Sequence, residues 1–173
     1  MKDLNNKVAV VTGAGSGIGR SLAKSLAARG CRLALSDVNE AGLAETAASL
    51  GGAEVKTYRL DVSDRDAIYA HAAQVRKEFG QVNLIINNAG VAVGGTLEET
   101  SLEDWRWVTE IDLMGVVMGC KAFAPVMRAR GQGHIINVAS FAGFAAAPGI
   151  NAYGTAKAAV IAMSKMLRAE LLD

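Results

Sequence analysis

Three side chains in the last third of the chain have the types and the spacing of an acid–base site. Tyr153 and Lys157 stand four residues apart in NAYGTAKAAV, and Ser140 lies thirteen residues before Tyr153. Residues at i and i+4 share one helix face, so the lysine ammonium would favour the phenolate of a group that ionises only at about pH 10 in water. The hydroxyl of Ser140 can donate a hydrogen bond to a developing alkoxide. Together these residues predict proton transfer at an alcohol or carbonyl oxygen.

Each of these residues also has a structural alternative. Tyr153 and Lys157 could form an incidental surface pair, and Ser140 could cap a turn. The chemical interpretation is favoured because the same chain carries a nucleotide-binding pattern near its start.

That pattern is the glycine-rich segment VVTGAGSGIGRSLA, which joins the first predicted strand to the first predicted helix. Its glycines fit no GxGxxG register, and Arg20 in place of lysine excludes a P-loop. The pattern that remains is TGxxxGxG, from Thr12 to Gly19. Backbone N–H groups and the helix dipole can receive a pyrophosphate here, whereas a tight turn with positive φ is the structural alternative. The position between strand and helix favours the pyrophosphate site.

Asp37 ends the second predicted strand, about twenty residues after Gly17, where a carboxylate can accept hydrogen bonds from an adenosine ribose. A cap for the next helix is the alternative role. Because Asp37 would repel a 2′-phosphate and Ser16 is uncharged, NAD is predicted as the cofactor in preference to NADP. Arg20 and Arg32, taken as the only nearby cations, keep NADP open as the less favoured choice.

The elements that must position these residues follow from the hydrophobic pattern. The predicted strands are KVAVV at 7–11, RLALS at 32–36, EVKTYRL at 54–60, NLIIN at 83–87 and HIINV at 134–138. The predicted helices cover 17–30, 39–50, 63–80 and 101–131, with Asn39, Ser63 and Ser101 as N-caps and Gly30 and Gly80 as ends. Such alternation predicts an α/β fold with a doubly wound parallel sheet (Rossmann fold), in a single domain over 1–173.

Composition excludes several classes of protein. Of the 173 residues, 51% are apolar, and the formal charge of +1 comes without charge blocks, so neither nucleic acid nor a membrane is expected as a partner. Cys31 and Cys120 lack disulfide or metal spacing, and we expect both to be reduced and at least one to be buried. We expect His71 and His134 to be solvated, and no metal site is predicted. Without a signal or membrane-spanning run, a cytoplasmic protein is expected.

Four motifs stand in one order along the chain: TGxxxGxG, NNAG at 87–90, Ser140 and the YxxxK pair. In these motifs the chain resembles the short-chain dehydrogenase/reductase family. The resemblance implies hydride transfer between a nicotinamide cofactor and a secondary alcohol or ketone. It makes Tyr153 the general acid/base, Lys157 its partner and ligand of the nicotinamide ribose, and Ser140 the donor to the substrate oxygen. The cofactor-binding residues that it implies are Thr12, Gly13, Ser16, Gly17, Ile18, Gly19, Asp37, Asp61, Val62, Asn88, Ala89, Gly90, Tyr153 and Lys157.

Two departures from the family accompany this resemblance. Where the family commonly carries an asparagine that holds a relay water, IDLMG places Asp112, whose carboxylate would hold the ammonium of Lys157 more firmly and slow proton relay. The chain also ends at Asp173, before the strands and lid that complete family members, which suggests truncation. The alternative function is therefore a nucleotide-binding or interaction module without turnover.

The sequence further predicts the kind of substrate and partner. The stretch FAGFAAAP after Ser140, together with Val91 and Val93, is apolar, so a hydrophobic or neutral alcohol or ketone is favoured over a charged one. The helical stretch from 105 to 123 is apolar over more than one face. A homodimer is therefore expected through the helices 101–130 and 151–172.

Overall fold

A computed structural model of the chain describes residues 3–145 and 147–171. Positions 146, 172 and 173, which belong to the predicted apolar loop, dimer helix and chain end, lie outside the described residues. The strands are β1 (Val8–Thr12), β2 (Arg32–Asp37), β3 (Val55–Arg59), β4 (Leu84–Asn87) and β5 (His134–Asn137). The helices are α1 (Gly17–Ala27), α2 (Glu40–Ala48), α3 (Arg65–Phe79), α4 (Leu102–Thr109), α5 (Gly115–Ala129) and α6 (Asn151–Glu170).

The five strands form one parallel sheet in the order β3-β2-β1-β4-β5. This confirms the doubly wound architecture, and the strands agree with the predicted ones to within one residue at each end. After β3 the chain crosses back, and β4 pairs with the free side of β1. The boundary between β1 and β4 is thus the switch point at which ligands bind in open α/β sheets.

Both faces of the sheet are covered, and this explains why β1 and β4 are buried along their whole length. On one face, Leu26 of α1 and Leu43 of α2 pack against the sheet. On the other, Val75 of α3 and Phe123 of α5 do so. The strand β5 forms one edge of the described sheet, and its residues alternate between exposed and half-buried.

Polar side chains cap the starts of α2, α3 and α4. Asn39 caps α2 by accepting from Gly42 N at 3.0 Å, and Ser101 caps α4 in a reciprocal pair with Asp104, as predicted. The prediction of Ser63 as a cap is wrong. The cap of α3 is Asp64, which accepts from Ala67 N at 3.0 Å, because the hydroxyl of Ser63 instead donates to Asp61 at 2.7 Å.

The predicted ends of the helices have mixed outcomes. Gly80 closes α3 in the left-handed conformation, with φ of 76°. The α-helix α1 already ends at Ala27, so Gly30 belongs to the turn that follows it.

The long predicted helix over 101–131 is interrupted. Between α4 and α5 the residues Glu110–Met114 form a π-helical turn, which adds a residue to the helical repeat and buries Asp112 completely. Hydrophobic periodicity alone does not reveal this shift, because buried apolar residues such as Val108 and Val116 lie on both sides of the turn.

Ser140 lies in the turn that follows β5. The strand β5 ends at Asn137, and Ser140 caps the short 3-10 turn Phe141–Gly143 by accepting from Ala142 N at 3.1 Å. The turn-capping role is thus real, and it fixes Ser140 just past the carboxyl end of β5.

Two further expectations concern buried and exposed groups. The expectation of a solvated His71 is wrong, because α3 packs this ring between Tyr58 and Phe123, whereas His134 is exposed. Cys31 and Cys120 are both buried, and neither forms a disulfide within the described residues. Over the ranges 3–145 and 147–171, none of the helices has the length and apolarity to cross a membrane.

Candidate active site

A cleft of about 480 Å³ runs along the carboxyl edge of the sheet and brings most of the predicted site together. Its walls follow the ends of all five strands, where the side chains of a parallel sheet converge. The predicted residues that line it are Gly13, Ser16, Gly17, Ile18, Gly19, Asp37, Asp61, Val62, Asn88, Ala89, Gly90, Tyr153 and Lys157. Thr12, Asp112 and Ser140 do not line it directly.

The amino end of α1 opens into this cleft. Ser16 occupies the N-cap position, but within the described residues no side chain caps α1, and its first turn holds no acidic residue. Its N–H groups and the positive end of the helix dipole therefore face the cleft without an anionic partner among the described side chains. The oxygens of a pyrophosphate could accept hydrogen bonds from these N–H groups, and its negative charge suits the helix dipole.

Close packing explains the glycines of the loop. Gly13 has φ of 65°, and a Cβ there would lie 2.8 Å from the Cα of Ala89. A Cβ on Gly19 would overlap the carbonyl oxygen of Gly13. Only glycine lets the loop and the helix approach this closely.

Thr12 and Asn88 hold the loop in place. The hydroxyl of Thr12 accepts from Asn88 N and Ala89 N, both at 3.0 Å. The amide of Asn88 donates to the carbonyl oxygens of Thr12 at 2.9 Å and Gly13 at 3.2 Å. Thr12 thus acts by joining the glycine loop to the NNAG segment, and the side chain of Asn88 strengthens the same junction.

Asp37 reaches the cleft from the end of β2 and accepts two backbone hydrogen bonds. Its oxygens accept from Gly15 N at 2.8 Å and from Asn39 N at 2.9 Å. The carboxylate thus shapes both the glycine loop and the start of α2, and each oxygen keeps a lone pair for a further donor. It stands at the adenosine end of the cleft that the resemblance implies.

The cations near Asp37 differ from the expected pair. The guanidinium of Arg20 bonds Glu45 at 2.8 Å and the carbonyl oxygen of Gly15 at 2.6 Å, and Arg32 bonds Glu54 at 2.7 Å. Arg59 was missed: it lies opposite Asp37 in the β2–β3 register, so strand pairing brings the backbones of the two residues together. No local sequence pattern reveals this strand pairing.

Asp61 and Val62 line the same end of the cleft. Asp61 Oδ1 accepts from the backbone N–H of Ser63 at 2.9 Å and from its hydroxyl at 2.7 Å. These hydrogen bonds to Ser63 hold the pKa of the Asp61 carboxyl below its ordinary value, and Arg59 adds to the effect. Asp61 therefore remains an acceptor at neutral pH.

At the opposite end of the cleft lie Tyr153 and Lys157, on one face of α6. Lys157 Nζ is 5.6 Å from the centre of the Tyr153 ring and donates to the carbonyl oxygen of Val138 at 3.2 Å. It also lies 3.0 Å from Asp112 Oδ2 in an ion contact, with Lys157 only 3% exposed and Asp112 fully buried. Asp112 Oδ1 accepts from Val91 N at 2.7 Å. The carboxylate therefore contacts the ammonium directly.

Several apolar residues complete the cleft walls and were not predicted. Many of them directly follow the end of a strand, so the rule that ligands bind at the carboxyl edge of a parallel sheet was the signal that could have found them. They are Val38, Leu60, Ala92, Ile111, Val138 and Ala139, whereas Val91, which also lines the cleft, was expected at the substrate site. Within the described ranges, no group of three or more His, Cys, Asp and Glu side chains could hold a metal ion.

Comparison with known proteins assigns a family to this arrangement. The sequence profile described as short chain dehydrogenase matches residues 7–173. SadH of Mycobacterium tuberculosis (strain H37Rv) is 47% identical over 174 residues, which cover 99% of this chain and 63% of that protein.

Two solved structures are similar to the chain throughout. A short-chain dehydrogenase/reductase from Burkholderia phymatum in complex with NAD is 44% identical with a TM-score of 0.94, covering 96% of this chain and 60% of that one. An NAD⁺-bound xylitol dehydrogenase is 34% identical with a TM-score of 0.95, covering 99% and 67%. The chain thus spans less than two thirds of the length of SadH and of the Burkholderia protein.

Proposed function

This chain belongs to the short-chain dehydrogenase family of oxidoreductases, and on that premise we propose that it transfers a hydride between NAD and a secondary alcohol or ketone. The observation that carries the proposal is the single cleft that joins the uncapped start of α1 to Tyr153 and Lys157. One end suits a dinucleotide phosphate and the other suits proton transfer. A bound nicotinamide cofactor supplies the acceptor or donor of the hydride.

In this proposal the chain's own residues move the proton. When an alcohol is oxidised, its carbon loses a hydride and its hydroxyl proton passes to the Tyr153 phenolate; reduction of a ketone reverses both transfers. Lys157 stabilises the phenolate through its ammonium, which lies near the Tyr153 ring. The hydroxyl of Ser140 donates a hydrogen bond to the substrate oxygen. The same oxygen atom of Ser140 can still accept its hydrogen bond from Ala142 N.

We propose NAD as the preferred cofactor. The carboxylate of Asp37 lines the cleft and would meet a 2′-phosphate with like charge. Arg20 and Arg32 are held by Glu45 and Glu54, so they are poorly placed to compensate. Arg59 is the cation that could favour NADP, and it lies 3.6 Å from Glu40 in an exposed ion pair. The two similar structures described above contain NAD, which supports the same choice.

We propose an apolar substrate. The turn after Ser140 presents Phe141 and Phe144 with 80% and 72% of their surface exposed, and Val91 lines the cleft near Tyr153. Large apolar side chains this exposed beside a reactive group would gain free energy by covering an apolar molecule. The xylitol dehydrogenase neighbour acts, by its name, on a polyol, so polyols are the contrasting class to test.

We propose that a second copy of the chain packs against the groove between α5 and α6. The groove holds about 640 Å³ and is lined by apolar residues of both helices, among them Val117, Pro125 and Met163. Met166 is 67% exposed on its rim. Light scattering should report a dimer that Met166→Glu weakens, because the charge would be buried against the partner; an unchanged mass would contradict this interface.

The test of the proposed function is turnover measured by NADH absorbance. The purified chain, incubated with NAD and a panel of apolar secondary alcohols and polyols, should form NADH fastest with the apolar ones. Tyr153→Phe keeps the ring and removes the proton, so it should reduce the rate by about 10³-fold or more with NAD affinity unchanged. Tyr69→Phe, an exposed tyrosine on α3, is the matched control.

The outcomes separate the two candidate functions. NAD binding without any turnover would favour a nucleotide-binding module, which the direct contact of Asp112 with Lys157 already makes a specific alternative. A rate undiminished in Tyr153→Phe would assign the proton transfer to another residue.

A further inference from the structure

Asp112 is the most deeply buried acidic residue next to the cleft. The π-helical turn Glu110–Met114 carries it inward, and its side chain is fully buried. One oxygen accepts from Val91 N at 2.7 Å and the other lies 3.0 Å from Lys157 Nζ. A carboxylate is therefore fixed in place beneath the loop that follows β4.

Gly90, which lines the cleft, packs against this carboxylate. A Cβ at Gly90 would lie 3.1 Å from Asp112 Oδ2 and 3.3 Å from Lys157 Nζ. Gly90 itself lines the cleft, together with Tyr153. The proposed function puts the nicotinamide at this end, so the Asp112–Lys157 pair lies under the part of the cofactor that changes charge.

We propose that Asp112 makes this cleft discriminate between the two redox forms of the cofactor, in favour of NAD⁺ over NADH. The inference rests on the proposed function, because it assumes that the nicotinamide occupies the Tyr153 end. The oxidised ring carries a positive charge that the reduced ring lacks, while the remainder of the two molecules is the same. Any charge near the ring therefore changes the ratio of the two affinities.

The net charge beside the ring is set by Asp112. With Tyr153 as the neutral phenol, Lys157 alone would place one uncompensated positive charge there and oppose the oxidised ring. The Asp112 carboxylate, 3.0 Å from the ammonium, cancels that charge. An amide at position 112 would keep the acceptor for Val91 N but restore the positive charge. At an effective dielectric constant of about 20, one unbalanced charge about 12 Å from the ring changes the affinity about tenfold, and a closer charge changes it more.

The other acidic residues of the cleft should affect the binding of NAD⁺ and NADH equally. Asp37 and Asp61 line its opposite end, which faces the adenosine half in the proposed function. That half is identical in NAD⁺ and NADH. Asp61→Asn is consequently a matched control: it removes a carboxylate from the same cleft without altering the charge near the nicotinamide.

The experiment compares dissociation constants for NAD⁺, NADH and ADP-ribose by titration calorimetry. In Asp112→Asn, the ratio of the NAD⁺ to the NADH dissociation constant should rise at least about tenfold, which corresponds to about 1.4 kcal/mol. Affinity for ADP-ribose, which lacks the ring, should not change. Asp112→Ser removes the same charge with a smaller side chain and should shift the ratio in the same direction. Asp61→Asn should leave the ratio as it is.

The ratio of the two dissociation constants distinguishes an electrostatic role of Asp112 from a purely structural one. If Asp112 only supported the fold, its variants would weaken both forms equally, and the constant ratio would overturn the proposal. A ratio that moved equally in Asp61→Asn would overturn it too. Failure of the wild-type chain to bind any of the three ligands would instead contradict the proposed function itself.

Discussion

The structure buries two titratable side chains in very different surroundings. Lys157 lies beside the cleft, and His71 lies on the buried face of α3. Lys157 has a carboxylate at 3.0 Å and a backbone carbonyl oxygen at 3.2 Å. His71 is only 5% exposed, and neither of its ring nitrogens has a hydrogen-bond partner among the residues that the structure describes. Its neighbours are the rings of Tyr58 at 4.8 Å and Phe123 at 6.3 Å between centroids.

The difference shows how burial is tolerated in each place. Burial lowers the pKa of His71 to about 4, against a weaker opposite effect of the Glu78 carboxylate, so the ring packs as a neutral aromatic group. Lys157 instead keeps an ionic partner in Asp112. At the cleft the ammonium of Lys157 stays charged beside its carboxylate, and the proposed chemistry uses that charge. In the core, where only packing is required, the ring of His71 is neutral.

The largest expected effect on stability comes from removing the carboxylate of the Asp112–Lys157 ion pair. Asp112→Leu leaves the ammonium of Lys157 buried without its carboxylate and should lower the free energy of unfolding by about 3–5 kcal/mol. His71→Leu replaces a neutral unpaired ring by an apolar side chain and should change it by less than about 1.5 kcal/mol. Urea denaturation of both variants measures the difference. Equal losses in the two variants would remove the contrast between the regions.

Acid should destabilise the protein through His71. Because its pKa is about 4 when folded and 6.5 for the ordinary group, the unfolded chain takes up the proton first as the pH falls. Stability is therefore unaffected above about pH 6.5, and by pH 4 it has fallen by about 3 kcal/mol relative to a non-titrating residue.

The control for this prediction is His71→Leu, which should lose less stability over the same pH interval. The comparison of the two proteins is needed because carboxylates also contribute at low pH. Tyr58, for example, donates a hydrogen bond to Glu78 at 2.6 Å and, with Gln74, lowers the pKa of that carboxyl to about 2. Parallel unfolding curves for wild type and variant between pH 6.5 and 4 would contradict a buried neutral histidine.

The smallest of these effects concerns the half-buried carboxylate at the other end of the cleft. Asp37→Ala should narrow the difference in affinity between NAD and NADP by about tenfold, since it removes the charge that opposes a 2′-phosphate. It should also weaken NAD somewhat, because Gly15 N loses its acceptor. Fluorescence titration with both cofactors measures this, and equal affinities in the wild-type chain would disprove the role of Asp37.

Much of the cleft could be predicted because its residues belong to local patterns. The glycine loop, Asp37 and the Tyr153–Lys157 pair each lie at a strand end or on one helix face, positions that periodicity gives directly. The five strands followed for the same reason, since short apolar runs between helical stretches identify buried parallel strands.

What could not be predicted depends on contacts between distant segments. The π-helical turn that carries Asp112 to Lys157 leaves no mark in the hydrophobic pattern, and Arg59 becomes a neighbour of Asp37 only through the strand register. His71 looked polar by residue type, but its position on the inner face of α3 decides its burial. In each case tertiary packing, and not local sequence, determines the environment.

The most direct test of the central claim, that the cleft and not the core around His71 binds the cofactor, is amide hydrogen exchange with and without NAD. The account predicts slower exchange in the segments 13–19, 88–91 and 153–157 when NAD is added, because the first supplies N–H groups and the others line the cleft. The segment 68–75 of α3 should exchange at an unchanged rate. Unchanged exchange throughout the cleft, or protection confined to α3, would contradict it.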